Sequence, residues 1–492
     1  MAPKSASLRP WRQLALCLLL VVAVTVAWPP PGGCATPSGR DTAASSCATG
    51  ERLFTVVNSS NQAVWLGFAS GSISCLSDSN CPTQAKGSCI GASPPNAGVC
   101  GCTGGCGAIS TCNPADSFCH WNGPSILSGS IDMATGSTTK LCFPAAQTGM
   151  AIQWSGTLFA RTGCSSTAPC QTGDCGASPS TSQCPLAKGG APPATLAEFT
   201  LSNPATTGAG PDFYDVSIIN GINVGVTMAP NAGTFSADPT DPYSCGAPGN
   251  PEAAGKLSAC SWQITPIVSK VDQAPFLRNV APTSFQAAGK CPNGSAPNSL
   301  GNCACTTDTD CAPGPVCGLA MNASTSAQFA QVCGTAIGWW TADQICGASA
   351  PVAPFGAPLQ CGTSFSNSDG STSTYTNLFA CTQPSGATNP EQAQSCYSSG
   401  AVTDCCGCAT SASADHQAWP TVLSPSFGGP DNGCFNNNPT WVSVAQPWLV
   451  FLKKACPTAY TYPFDDATST FTCSNSSGQA APSYTITFLP TS

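Results

Sequence analysis

An all-β, disulfide-stapled fold is what this sequence predicts, on three observations. Charged residues make up only 8% of the chain while Gly and Pro number 49 and 45, a balance that favours short strands joined by turns over long amphipathic helices rich in Glu, Lys and Leu. Cysteine is dense, at 34 residues. The N-terminus reads as an export signal: Lys4, Arg9 and Arg12 precede an apolar run from Leu14 to Ala27, followed by Pro29, Pro30, Pro31 and the small residues Gly32, Gly33 and Ala35. That run falls short of the roughly 20 residues that span a bilayer, and no later segment is long or apolar enough to do so. Residues 1–35 are therefore expected to be a signal peptide, cleaved between Ala27 and Ala35, on a soluble chain secreted to the extracellular space or cell wall, with no transmembrane segment.

Export decides the chemistry of the cysteines. The stretch CQTGDCG, Cys170 to Gly176, has Cys164 just upstream and Cys184 just downstream. A redox dithiol, a zinc knuckle and a pair of structural disulfides could all be written this way, but in an oxidising compartment thiols pair. Zinc would have to draw on clusters such as Cys405, Cys406 and Cys408, or Cys100, Cys102 and Cys106. Only His120 and His416 could help, and structural zinc wants two clean pairs of ligands. No cofactor is implied. The net charge of −8, with 15 basic residues, removes the electrostatic basis for binding nucleic acid and disfavours anionic membranes, leaving a neutral polymer such as a glycan open. Sequons at Asn58, Asn293, Asn322 and Asn475 are the candidate glycosylation sites.

Taken in order, Glu51 to Ser70 alternates, with Phe54 and Val56 on one side and Leu53, Thr55 and Val57 on the other, and predicts two strands around a short polar turn. From Cys75 to Cys119 eight cysteines occur with almost no apolar periodicity, too little core for a fold without bridges. Residues 285–335 hold a second such island, with six cysteines between Cys291 and Cys333. The two share a motif, CLSDSNC at Cys75 to Cys81 and CTTDTDC at Cys305 to Cys311, which predicts one kind of small disulfide knot used twice. Asp78, Asp308 and Asp310 offer too few oxygens in the right order for calcium. Strand signals return at Thr195 to Leu201, with Ala197, Phe199 and Leu201 on one face and Leu196, Glu198 and Thr200 on the other. In Asp215 to Val226, Asn220-Gly221 supplies the residues of a type I′ turn, and a hairpin is expected. Residues 362–395 read as an exposed low-complexity loop.

Thr162-Gly163-Cys164, CQTGDCG, GGAPPATLAEF, DFYDVSIINGINVGV and ACPTAYTYPFDDATSTFTC, in this order, resemble the thaumatin-like proteins, pathogenesis-related group five. The resemblance covers roughly Arg52 to Phe68, Thr157 to Trp262 and Asp404 to Pro490, and implies a thaumatin-like β-sandwich over 36–490, interrupted by cysteine-rich insertions 75–119 and 285–335. It also implies bridges Cys164–Cys170, Cys175–Cys184, Cys245–Cys473 and Cys260–Cys456, with Cys396, Cys405, Cys406 and Cys434 pairing in a C-terminal loop region and Cys408 without a counterpart. The family's tie between first and last strands falls on Ser60 and Leu489, both changed together. Asp174 is expected to be a turn residue whose carboxylate meets backbone N–H groups.

Thaumatin-like proteins are described with a cleft lined by an Arg, a Glu and three Asp, associated with binding or weak hydrolysis of β-1,3-glucans. Carried over singly, these fall on Thr157, Glu198, Asp215, Asn220, and Asp466 or its neighbour Asp465, so two of the five have lost their charge. Hydrolysis would use Glu198 as acid and Asp215 as its ionised partner, since glycoside cleavage needs two carboxyl groups. Binding without efficient turnover is the leading expectation, a structural extracellular role on wall or membrane surfaces the third. Tyr214, Trp262 and Tyr460 are the aromatic candidates for contacting sugar, in a monomer acting in defence against fungi.

Overall fold

The computed structural model describes residues 46–75, 81, 89–90, 98–102, 106, 108–145, 150–204, 206, 210–232, 235–255, 257–264, 277–321, 329–347, 359–366, 372–380, 440–463, 465–474 and 481–491. The segment 1–35, Asp78, Asn322, Asn475, His416 and Cys396, Cys405, Cys406, Cys408 and Cys434 lie outside them.

Two sheets face each other across one apolar core. One orders its strands Gly225–Pro230, Tyr484–Leu489, Arg52–Asn58, Thr138–Phe143 and Ser125–Ser128. The other runs Phe471–Cys473, Asp212–Ser217, Leu196–Ser202, Ile152–Thr162, Val64–Ser70 and Asp132–Met133. Alternation builds the core: Phe54 and Val56 point inward from the first sheet, Ala197, Phe199, Leu201, Tyr214 and Val216 from the second. Aromatic rings close the gap, Phe54 lying 5.0 Å from Phe199 and Tyr214 5.0 Å from Tyr484 between centroids.

A buried ionic clamp joins the sheets at one end. Arg52 meets Asp212 at 2.5 Å, donates to Gln153 Oε1 at 2.9 Å and to the Ser202 carbonyl at 2.6 Å. Asp212 in turn accepts from Ser202 N, Ser202 Oγ and the Tyr484 hydroxyl, so both charges are well satisfied. The first and last strands run parallel and adjacent, Asn58 facing Phe488. No bridge ties this seam; Ser60 Oγ instead bonds Asn58 Oδ1 at 2.6 Å and Gln62 O at 3.0 Å. Asn58 is fully buried, its amide donating to Gln62 O and Met133 O, and so cannot carry a glycan in the folded chain.

The expected hairpin at Asn220-Gly221 is not one. Strand Asp212–Ser217 belongs to the six-stranded sheet and Gly225–Pro230 to the five-stranded one, so the chain crosses between layers. Asn220 is not among the residues with positive φ, and the turn is closed by Gly221 N donating to Ile218 O at 3.0 Å. Gly221 has φ +83°, and a Cβ there would sit 2.5 Å from the Trp339 carbonyl. The inner faces of both sheets need apolar cover, and Val216 and Ile218 serve one while Val224 and Val226 serve the other. Buried Asn223 replaces the ladder a hairpin would have supplied: Oδ1 accepts from Thr195 N and Val224 N, and Nδ2 donates to Ala160 O and Thr172 Oγ1.

Every cysteine among the described residues is disulfide-bonded. Cys164–Cys170, Cys175–Cys184, Cys245–Cys473 and Cys260–Cys456 are present, as are Cys47–Cys142 and Cys346–Cys361. Asp174 accepts from Cys170 N and Gly176 N, clamping the turn of CQTGDCG. The two insertions share a connectivity. Cys75–Cys89 interlocks with Cys81–Cys100, and Cys305–Cys317 interlocks with Cys311–Cys333. In each, the third and fourth cysteines face one another across an antiparallel strand pair, Cys89 opposite Cys100 and Cys317 opposite Cys333. In each, the sulfurs of the first, second and fourth lie within 4.8 Å of one another, and being in disulfides they offer no thiolate to a metal. In the second insertion the motif has a structural use: Asp308 accepts from Cys317 N and pairs with Arg278, while Asp310 accepts from Thr306 N and Thr307 N.

The second insertion is wider than 285–335. Strands Arg278–Pro282, Val316–Met321 and Phe329–Trp339 close on one another, and Trp339 exchanges backbone hydrogen bonds with Ile222 beside the crossing turn. Of the expected loop 362–395, residues 367–371 and 381–395 lie outside the described residues, and in the rest strands Ser364–Ser366 and Thr372–Thr374 pair and lead into helix Tyr375–Ala380. Leu378 and Phe379 supply the apolar side chains that bury it.

Two outcomes are expected from this architecture. Arg52→Met should destabilise the fold by about 3–5 kcal/mol in denaturant titrations, because Asp212 is left buried without its cation. Peptide mapping of the mature protein should recover Cys75–Cys89 with Cys81–Cys100 in the first insertion and Cys305–Cys317 with Cys311–Cys333 in the second; mixed linkages between insertions would refute the repeat.

Candidate functional site

The outward face of the six-stranded sheet carries the predicted carboxylates. Since Phe199 and Tyr214 point to the core, Glu198 and Asp215 point away from it, and the antiparallel register sets Glu198 directly opposite Asp215. Opposed residues in such a ladder have Cβ atoms about 5 Å apart. Thr157 is opposite Glu198 on its other side and Ala69 opposite Thr157, so one row reads Ala69, Thr157, Glu198, Asp215. Asp215 is 7% exposed and Glu198 half-buried.

One side of this row is roofed. In the neighbouring row Phe159 and Leu196 are covered by Cys175, Ala177 and Cys184 of the disulfide loop. Buried Arg161, on the same outward face, holds that loop down by donating to Ser180 O at 2.6 Å and Ser182 O at 2.8 Å. Burial pulls the Arg161 guanidinium below its usual pKa, and Asp174 opposes the shift. On the other side the row of Ser155, Thr200, Phe213 and Thr472 stays open among the described residues. Gly71 donates to the Ser155 carbonyl at 2.8 Å, so the first insertion leaves the sheet at the end of this open row. It is fastened by His120, whose ring nitrogens meet Ser70 O at 3.2 Å and Asp116 Oδ2 at 2.8 Å, a link that no motif in the sequence announced. The second insertion sits past the opposite end, where Thr341 Oγ1 donates to Ile219 O at 3.2 Å.

The thaumatin family model matches residues 120–350, a span that contains Thr157, Glu198, Asp215, the CQTGDCG turn and the second insertion. The chain carries a thaumatin-family domain. Thaumatin-like protein 1 of Pyrus pyrifolia is 35% identical over 140 residues, 28% of this chain and 50% of that protein. Pathogenesis-related protein 5 of Arabidopsis thaliana is 39% identical over 116 residues, 23% of this chain and 41% of its own length. The chain thus spans about half the length of the curated relatives it matches. The solved structure of the thaumatin-like xylanase inhibitor TLXI aligns at 19% identity over 36% of this chain and 76% of that one, with a TM-score of 0.16, too loose a superposition to carry any argument.

Several residues expected at the cleft lie elsewhere. Tyr214 faces the core, fully buried, and its hydroxyl donates to Gly246 O at 2.6 Å; burial, reinforced by Asp212, raises its pKa far above the ordinary tyrosine value. Trp262 is buried and donates to Gly249 O at 2.9 Å, and Tyr460 is buried against Thr470. For Tyr214 the strand alternation decides this, since Val216 on the same side also lines the core. Asp465 is also an interior residue. It meets Lys453 at 2.8 Å and accepts from Thr461 N, Thr461 Oγ1 and Thr468 Oγ1, side chains only 4% and 0% exposed for the lysine and aspartate. Burial lowers the Lys453 pKa and Asp465 counteracts it. Asp466 opens the short helix Asp466–Ser469. Asn220 stands in the crossing turn next to the second insertion, not in the row with Glu198.

Sequence reasoning missed Arg161, Lys453 and Asn223, since a lone polar residue in an apolar run gives no sign of the backbone carbonyls it will meet. Asp465→Asn should cost about 3–5 kcal/mol in stability through the stranded Lys453, while ligand retention by the folded fraction stays at the wild-type level. Loss of retention with unchanged stability would return Asp465 to the site.

Proposed function

We propose that this chain is an exported thaumatin-family protein that binds a neutral cell-wall polysaccharide of the β-1,3-glucan type on the outward face of its six-stranded sheet, as a monomer, in defence against fungi. The reading rests above all on Glu198 facing Asp215 beside an open row of hydroxyl and aromatic side chains. Carboxylates accept hydrogen bonds from sugar hydroxyls, and neutral neighbours avoid selecting a charged ligand. Export is supported by the leading apolar segment and by a cysteine complement that is oxidised throughout the described residues. Among the described residues no helix is long and apolar enough to cross a membrane. Exposed Asn293 is the sequon there that suits a glycan. A defence role draws on the name of the Arabidopsis thaliana relative, a pathogenesis-related protein.

Slow hydrolysis is the second reading, favoured by the two carboxyl groups standing side by side. Opposed ladder positions set their Cβ atoms about 5 Å apart, and the separation of the two carboxyl groups beyond them would set whether cleavage retains or inverts the anomeric configuration. Thr157 is neutral where a third charged partner would help, which is why binding is put first.

The mature protein should be retained on insoluble β-1,3-glucan, and Glu198→Ala should weaken retention about tenfold, the loss of one charge-assisted hydrogen bond. Undiminished retention in that variant would remove this face from the function. Release of reducing ends that vanishes in Glu198→Gln would establish the hydrolytic reading, and release unchanged in that variant would exclude Glu198 from the chemistry.

A further inference from the structure

We infer that His120 is a proton-dependent latch: with both ring nitrogens protonated it fastens the first cysteine-rich insertion to the six-stranded sheet, and loss of one proton loosens that junction. Hydrogen-bond chemistry carries the inference. Nδ1 lies 3.2 Å from the Ser70 carbonyl oxygen and Nε2 lies 2.8 Å from Asp116 Oδ2. A carbonyl oxygen can only accept. The Asp116 carboxylate is an acceptor as well, since Oδ1 takes the Phe118 N–H at 2.9 Å and Oδ2 takes Asn113 Nδ2 at 3.1 Å. Both contacts of the ring are therefore hydrogen bonds only when both nitrogens donate, which is the imidazolium form. In either neutral tautomer one nitrogen turns a lone pair toward an oxygen lone pair, in a side chain that is buried from water.

The ring spans the junction itself. Ser70 ends the sheet strand Val64–Ser70, and Asp116 stands in the turn between the paired insertion strands Ser110–Asn113 and Phe118–Trp121. Among the described residues Asp116 is the charged side chain that meets the ring. Strand Ser110–Asn113 sets Thr111 opposite His120, and the sheet side brings Ser70 and Ser72, none of which titrates. The other ties at this junction are neutral: Trp121 N donates to Gly71 O at 3.2 Å, Ile73 N to Cys119 O at 2.9 Å and Trp154 Nε1 to Asn122 O at 3.1 Å. Inside the insertion, Cys75–Cys89, Cys81–Cys100, Cys102–Cys112 and Cys106–Cys119 hold the chain whatever the state of the ring, so the response falls on the junction. The sign follows from the proton. The latch is complete on the acid side of the ring's titration and lacks one charge-assisted bond on the alkaline side. It acts at the end of the outward face, because Gly71, next to Ser70, donates to the Ser155 carbonyl.

Amide hydrogen exchange of the mature protein, with each rate divided by its intrinsic rate at the same pH, tests the latch. From about pH 5 to about pH 8, the range in which histidine side chains change charge, protection of the Ile73 and Trp121 amides should fall about tenfold, while amides of strand Arg52–Asn58 keep theirs. His120→Gln should remove the dependence, since glutamine has no titrating proton. Asp116→Asn should remove it by another route: an asparagine amide can donate to Nε2, so that the neutral ring satisfies both partners. A reading on the unaltered chain covers the case in which a variant fails to fold. In 15N-histidine NMR at about pH 5, with His120 told from His416 by a His416→Gln variant, both ring nitrogens of His120 should carry slowly exchanging protons. Equal protection at the two pH values in wild type, the same fall in His120→Gln, or ring protons that exchange as fast as those of a solvated histidine would overturn the latch.

Discussion

Strand register is the constraint on which the rest of this molecule depends. In a ladder with a side-chain period of two, sliding Leu196–Ser202 by one residue against its neighbours would drive Glu198 and Thr200 into the core and expose Phe199 and Leu201. The apolar residues therefore fix which side chains face solvent. Glu198 and Asp215 meet because Phe199 and Tyr214 are core residues on paired strands. The polar face owes its geometry to the apolar one, and the Arg52–Asp212 clamp holds the end of the same strands in place between the sheets.

Disulfides act on a different scale. Cys245–Cys473 and Cys260–Cys456 close loops of 228 and 196 residues and so hold the distant C-terminal segment against the sandwich. The short bridges Cys164–Cys170 and Cys175–Cys184 hold the loop that roofs one side of the acidic row, with Arg161 fastening it from below. The two insertions are self-contained by comparison. Their interlocked pairs are internal, Asp308 and Asp310 cap turns in the second, and they attach to the sandwich at opposite ends of the outward face. The face between them stays open among the described residues.

What was legible in the sequence follows from range. Alternation is local, so the strands of the core and the outward side of Glu198 could be read directly, and the repeat of CLSDSNC in CTTDTDC foretold a shared knot. Layer assignment is not local. Asn220-Gly221 has hairpin chemistry, yet the demand for apolar cover on both sheets sends the chain across the gap, with Asn223 satisfying the backbone it leaves behind. Asp465 and Lys453 were invisible as a pair because only folding joins them. Tyr214 and Phe213 are adjacent aromatics in DFYDVS, and only the phase of the strand tells the buried ring from the exposed one.

The most direct measurement is a crystal structure of the mature protein soaked with a β-1,3-linked oligosaccharide. Sugar density crossing the outward face, with hydroxyls within hydrogen-bonding distance of Glu198 and Asp215, is the expected result. Well-ordered density seated only on the cysteine-rich insertions, with that face left to solvent, would contradict it.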